Sequence, residues 1–123
     1  PTLHNLNPLV DLIHNNHKKA HIETAGTNPT TAAFDWITFS PKKFKAPVNE
    51  YLTKSHELKV VAFNKHDITW AQEWQNKLHD TCKPYIQAEW SKRELMNPVL
   101  INFVQENPEW TLSVQTHKYL NIP

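Results

Sequence analysis

Five short polar segments of this chain carry residue types that bind or transform small molecules: Glu23-Thr24-Ala25-Gly26-Thr27, Ser40-Pro41-Lys42, Asn64-Lys65-His66, Gln87-Ala88-Glu89-Trp90 and Gln115-Thr116-His117-Lys118. Their carboxylates, hydroxyls, amides, imidazoles and ammonium groups supply the donors and acceptors that a polar heterocycle needs. Trp90 adds a plane that can flank an adenine or a pterin, against the simpler role of core packing. Loops are polar in any protein, so these segments make a site only where the fold gathers them. His14, His17 and His21 are spaced by three and four, which on one continuous helix would stack them on a face able to hold Zn²⁺ or a similar ion. Against this, Asn15, Asn16, Lys18 and Lys19 mark a solvated helix end, where surface histidines complement the dipole. Cys82 has no histidine and carboxylate set around it in the sequence and reads as an inert, partly buried thiol.

The elements that must position these segments alternate. Asn7-Pro8 reads as a cap and first turn, followed by Leu9, Val10 and Ile13 at helical spacing. Strands are predicted at His21 to Ala25, Phe34 to Phe39, Leu58 to Phe63, Tyr85 to Ala88 and Thr111 to Gln115. The run from Leu58 to Phe63 is nearly all apolar, as in a parallel strand covered on both faces. Asp67 is the expected N-cap of a helix carrying Ile68, Ala71, Gln75 and Leu78, with Trp70 and Trp74 one turn apart, and Lys83-Pro84 should end it. Ser91 with Glu94 fits a capping box before a helix through Leu100 and Val104, which Pro98 should kink or divide. Trp36 suits a buried strand. The order helix, strand, strand, strand, helix, strand, helix, strand is an α/β pattern with a mostly parallel sheet of about five strands. In such a sheet ligands gather at the carboxyl ends of the strands, which are the five polar segments.

Composition narrows the function classes. The chain has 123 residues, 39% hydrophobic and 20% charged, as in ordinary single-domain proteins. Thirteen Lys and Arg against twelve Asp and Glu give no electrostatic case for nucleic acid or an anionic membrane as a partner. No apolar run approaches the roughly 18 residues of a membrane span, there is no signal-peptide pattern, and a reducing, cytoplasmic setting is expected. One glycine excludes the Gly-rich phosphate loops of the Rossmann and Walker kinds. One cysteine excludes an internal disulfide and cannot unaided hold an iron–sulfur cluster.

Gln-Thr-His-Lys at 115 to 118 before a short tail ending in Pro123, Glu-Thr-Ala-Gly-Thr at 23 to 27, Ser-Pro-Lys at 40 to 42 and the block from Tyr85 to Trp90 occur in one order along nearly the whole chain. Together they resemble the 7-carboxy-7-deazaguanine synthases, radical S-adenosylmethionine (SAM) enzymes of queuosine and 7-deazapurine biosynthesis. The resemblance implies a partial (β/α) barrel with a [4Fe–4S] cluster, SAM and Mg²⁺. It implies a carbon–nitrogen lyase that converts 6-carboxy-5,6,7,8-tetrahydropterin to 7-carboxy-7-deazaguanine with loss of ammonia. Carried onto this sequence, Ser40, Pro41 and Lys42 lie along SAM, as do Gln87, Ala88, Glu89 and Trp90. His117 and the carboxylate of Pro123 face the pterin. A carboxylate accepts two adjacent N–H groups from a 2-amino-pyrimidinone edge, so residues added after Pro123 should weaken substrate binding.

Two features depart from that family. Proline is common where this chain has Ala88, and the three-cysteine cluster motif and the Gly-Gly-Glu-Pro strand end are missing. With Pro1 in place of Met, the chain reads as cut at its start: residues 1–123 form one α/β domain, the C-terminal part of a partial barrel, inactive without its N-terminal half. No Mg²⁺ ligand is assigned. A homodimer is expected to cover the raw edge. The competing reading is a stand-alone, non-catalytic α/β module that binds a heterocycle or another protein, whose sign would be a covered sheet with no raw edge. A histidine-based metallohydrolase has only His14, His17 and His21 behind it.

Overall fold

Proline at the first turn and the apolar spacing of Leu6, Val10 and Ile13 set the first helix, α1 (Asn7–Asn15), in the computed structural model, which describes residues 4–123. Pro1, where the sequence suggests a cut, lies outside the described residues. Asn7 does not cap α1 but sits inside it. Asn5 Oδ1 accepts the Asn7 amide at 3.1 Å, and Asn7 Nδ2 donates to Thr31 Oγ1 at 2.7 Å. After α1 come β1 (His21–Thr24), β2 (Trp36–Phe39), α2 (Glu50–Lys54), β3 (Glu57–Ala62), α3 (His66–Lys77), β4 (Lys83–Ala88), a 3₁₀ turn (Trp90–Lys92), α4 (Arg93–Glu106), β5 (Thr111–Leu112) and α5 (Thr116–Tyr119). The predicted order holds, with α2 and α5 added. Each has too few residues to show a helical period.

Among the described residues the five strands form one sheet, every pair parallel, in the order β1-β2-β3-β4-β5. Spatial order that follows chain order is the winding of a (β/α) barrel, whereas a doubly wound sheet reverses at a switch point. The outer edge of β1 has no strand partner among the described residues.

One face of this sheet is apolar. Ile22, Ile37, Phe39, Leu58, Val60, Ala62, Ile86 and Ala88 are buried there, with Ala71 of α3, Met96, Leu100 and Phe103 of α4, Tyr51 of α2 and Trp110. The other face carries the alternate residues His21, Glu23, Thr38, Glu57, Lys59 and Gln87. This corrects the expectation for β3. It is covered on one face only, with Leu58, Val60 and Ala62 buried and Glu57, Lys59 and Val61 half-buried.

Local chemistry corrects four more expectations. Asp67 lies in the first turn of α3, and Asn64 does the capping: Asn64 Oδ1 accepts the Asp67 amide at 3.2 Å while the Asp67 carboxylate accepts the Asn64 amide at 3.3 Å. Helix α3 ends at Lys77, and Pro84 falls inside β4, opposite Leu58. There its missing N–H costs nothing, because β5 pairs only from Tyr85 onward. Ser91 sits in the 3₁₀ turn and donates both its amide and its hydroxyl to Glu89, so the Ser91-Glu94 box does not form. Helix α4 runs through Pro98 without division.

Candidate functional site

An all-parallel sheet puts the carboxyl ends of its strands along one edge, so the five polar segments of the sequence lie on the same side of the molecule. Backbone bonds stitch them in order. Ser40 donates to Thr24 O at 2.8 Å, Glu89 to Ala62 O at 2.9 Å and Ser113 to Ile86 O at 2.8 Å. Behind β1 the chain turns at Gly26, whose φ of 70° is left-handed and whose carbonyl accepts Val48 N–H at 2.8 Å.

Two neighbouring depressions open on this edge. The first, about 140 Å³, lies between the ends of β2 and β3 and is lined by Pro41, Lys42, Lys43, Val61, Phe63 and Trp70. Ser40 is buried beside it, Pro41 is buried, and Lys42 is exposed. Lys43 reaches across to form an ion pair with Asp67, which is fully buried. Burial works to raise the Asp67 pKa, but the Lys43 ammonium and the N–H groups of Phe63 and Asn64 outweigh it and hold the carboxyl below its ordinary range.

The second depression is shallow, about 10 Å³, and joins the end of β4 to the last segment of the chain: Gln87, Ala88, Trp90 and Arg93 face Ser113, Val114, Gln115 and Tyr119. Ser113 Oγ donates to Gln87 Oε1 at 3.3 Å. The Trp90 ring is held by its neighbours. The Arg93 guanidinium lies 3.9 Å from its centroid, the Tyr119 ring meets it edge-on at 5.0 Å and Lys118 Nζ stands at 5.4 Å. Asn97 Nδ2 donates to the Tyr119 hydroxyl at 3.1 Å.

The fold thus brings Gln87, Ala88 and Trp90 against residues 113–119, and sets Ser40, Pro41 and Lys42 on the far side of β3. The Glu89 carboxylate faces Ser91. His117 and Pro123 line neither depression: both are exposed, with the tail folded back by Ile122 N–H to His117 O at 3.0 Å. Lys43, Arg93 and Tyr119 are not among the residues read from the sequence. The sequence presents Asp67 only as the cap of a helix, and no local pattern in it points to the ion pair with Lys43.

The remaining candidates separate. His14 Nε2 is 2.8 Å from Asp35 Oδ2, while His21 Nε2 is 2.8 Å from Thr38 Oγ1 on the open face of the sheet. Thr38 in turn donates to Glu57 at 3.0 Å, and Lys59 bridges to Glu23 at 2.9 Å. Trp70 and Trp74 pack on the core as expected, whereas Trp36 is half-buried on the open face, stacked on His56 at 4.8 Å. Cys82 lies just before β4, at the amino end of the strands. Burial and then Glu57 push its thiol up to about 11. It lines a cavity of about 380 Å³ with Gln75, His79, Asp80 and Glu109, across the sheet from the polar edge.

No family model matches the chain. It is 50% identical over 105 residues to the 7-carboxy-7-deazaguanine synthase of Flavobacterium psychrophilum, covering 85% of this chain and 50% of that protein. The Synechocystis enzyme of the same name is 38% identical, covering 99% of this chain and 58% of its own. The chain is homologous to about half of these 7-carboxy-7-deazaguanine synthases. The crystal structure of QueE from Escherichia coli superposes with a TM-score of 0.78 at 26% identity, over 94% of this chain and 53% of that one. The chain spans about half the length of the synthases it matches.

The residues of this chain do not fit an iron–sulfur cluster. One buried thiol with a raised pKa, at the edge opposite the polar segments, cannot supply three thiolates. Among the described residues no three His, Cys, Asp or Glu gather into a group that could hold a metal ion. No helix among them is long and apolar enough to cross a membrane.

Proposed function

We propose that this chain forms the SAM- and pterin-facing part of a cytoplasmic 7-carboxy-7-deazaguanine synthase, which converts 6-carboxy-5,6,7,8-tetrahydropterin to 7-carboxy-7-deazaguanine with loss of ammonia in queuosine and 7-deazapurine biosynthesis. The observation that carries this reading is the juxtaposition at one sheet edge of Gln87, Ala88 and Trp90 with the segment that bears His117. Ser40, Pro41 and Lys42 lie along SAM in this reading, together with Gln87, Ala88, Glu89 and Trp90. Apolar Pro41, Val61 and Phe63 beside polar Ser40 and Lys42 suit a ligand with an aromatic base at one end and charge at the other. His117 and Pro123 bind and orient the pterin. The iron–sulfur cluster and Mg²⁺ take their protein ligands from the rest of the enzyme, which is also the neighbour for the open edge of β1; a homodimer completes the assembly.

Two observations speak against a stand-alone binding module. Such a module would close its sheet, whereas here the helices pack on one face and the other presents His21, Glu23 and Lys59, with the Glu23 side chain 48% exposed. A polar, open face suits the wet interior of a partial barrel. The test is anaerobic turnover of the pterin by the whole enzyme with reconstituted cluster, comparing His117→Ala and Gln87→Ala with the parent. The reading expects product from the parent, a raised pterin KM for His117→Ala and weaker SAM binding for Gln87→Ala. A parent enzyme that binds neither molecule sinks it.

A further inference from the structure

The Asp67 carboxylate is more than a helix cap. A cap needs only the reciprocal bonds between Asn64 and Asp67, and caps are ordinarily solvated. Here the side chain is fully buried and gathers three groups from two segments: the Phe63 amide at 2.7 Å and the Asn64 amide at 3.3 Å, and the Lys43 ammonium, 24 residues away in sequence. The Lys43 Nζ also stands 5.6 Å from the Trp70 ring centroid, against the next turn of α3.

Lys43 belongs to a short turn. Lys42 and Lys45 pair across it, with Lys45 N–H to Lys42 O at 3.4 Å, and Phe44 between them takes a left-handed φ of 66°. Lys42 and Pro41 directly precede Lys43 in the chain, so an anchor at Lys43 restrains their backbone. The anchored pair spans the depression lined by Pro41, Lys42, Val61 and Phe63, and so sets the separation of the β2 and β3 ends.

We propose that Lys43 and Asp67 are positioning residues that hold the Ser40-Pro41-Lys42 edge at the spacing SAM binding requires. The proposal rests on the reading of that edge as SAM-facing. Asp67 lies outside the lining of that depression and Lys43 is turned to the ion pair, so in this scheme each acts through the backbone it holds.

The test uses the whole enzyme with Lys43→Met, Lys43→Arg and Asp67→Asn, measuring SAM affinity, pterin affinity and amide hydrogen exchange. Misaligning one hydrogen bond to a charged ligand costs about ten- to a hundredfold in affinity. Lys43→Met and Asp67→Asn are therefore expected to weaken SAM binding by about ten- to a hundredfold, to leave pterin affinity unchanged, and to speed exchange at the Lys45 and Val48 amides. Lys43→Arg, which keeps the ion pair, should restore SAM binding to within about threefold of the parent. Parent-like SAM affinity in Lys43→Met, equal loss of SAM and pterin affinity, or unchanged exchange in a protein that binds SAM overturns the proposal alone. Failure of the parent to bind SAM overturns the reading of the edge and the proposal with it, while the exchange data still report whether the pair holds the loop.

Discussion

Replacing Gly26 with alanine should destabilise the protein by about 2–5 kcal/mol, through two terms that can be separated. The first is conformational. At φ 70° an L-residue with a Cβ meets its own carbonyl, at a cost of about 1–2 kcal/mol. The second is crowding. The added Cβ would stand 3.1 Å from Cγ and Cδ2 of Tyr51 and 3.3 Å from Cε1 of Phe39. Both rings are fully buried, and the Tyr51 hydroxyl donates to Asn28 O at 3.0 Å, so neither can swing aside; overpacking of this kind costs about 1–3 kcal/mol. Urea unfolding followed by far-UV circular dichroism measures the sum. Asparagine tolerates the left-handed region but carries the same Cβ, so Gly26→Asn should fall between the parent and Gly26→Ala. An alanine variant within about 0.5 kcal/mol of the parent, the ordinary range for surface changes, would refute both terms. A variant equal to Gly26→Asn would refute the conformational one.

Three further outcomes follow from named contacts. The Cys82 thiol, pushed up to about 11 by burial and Glu57, should resist iodoacetamide at pH 8 in the native protein and react once unfolded in urea, as read by intact mass. The Asp67 carboxyl is held below its ordinary value of 3.8, so its contribution to stability is present above that pH and is lost as pH falls through the lower folded value. Melting temperature against pH should therefore drop less steeply below pH 3.8 in Asp67→Asn than in the parent. Tyr119→Leu removes the edge contact with Trp90 and the bond from Asn97, and should speed hydrogen exchange at the Lys118, Leu120 and Ile122 amides while leaving those of β3 and β4 unchanged.

The fold was legible where pattern and length agreed. Leu58 to Phe63 and the amphipathic stretch after Asp67 are long enough for their apolar spacing to select strand and helix. What failed had a local cause. Residues Val60, Val61 and Ala62 read as a doubly covered strand because valine on the open face does not break an apolar run, although Glu57 and Lys59 already showed the alternation. The Ser91-Glu94 pattern lost to Glu89, which lies closer to the Ser91 amide. Of the candidate site, the strand-end rule picked the edge, and of the quoted residues Pro41, Lys42, Gln87, Ala88 and Trp90 line its depressions while His117 and Pro123 do not. The Lys43–Asp67 pair and the packing of Trp90 by Arg93 and Tyr119 join residues too far apart in sequence for any local pattern to carry them.

The two faces of the sheet bear most directly on what the chain is for. A parallel strand in a closed α/β layer has no reason to alternate, because both faces meet helices. Here β1 to β4 alternate strictly enough that Ile22, Ile37, Leu58, Val60 and Ile86 point one way and His21, Glu23, Thr38, Glu57 and Lys59 the other. Packing a helix over the second set would desolvate the Glu23–Lys59 pair and the His21–Thr38–Glu57 chain, at several kcal/mol per uncompensated charge. A sheet that keeps such a face is suited to curve around polar contents. That requirement, joined to strands wound in sequential order and ligand-type residues at one edge, leaves a barrel interior as the environment the open face fits.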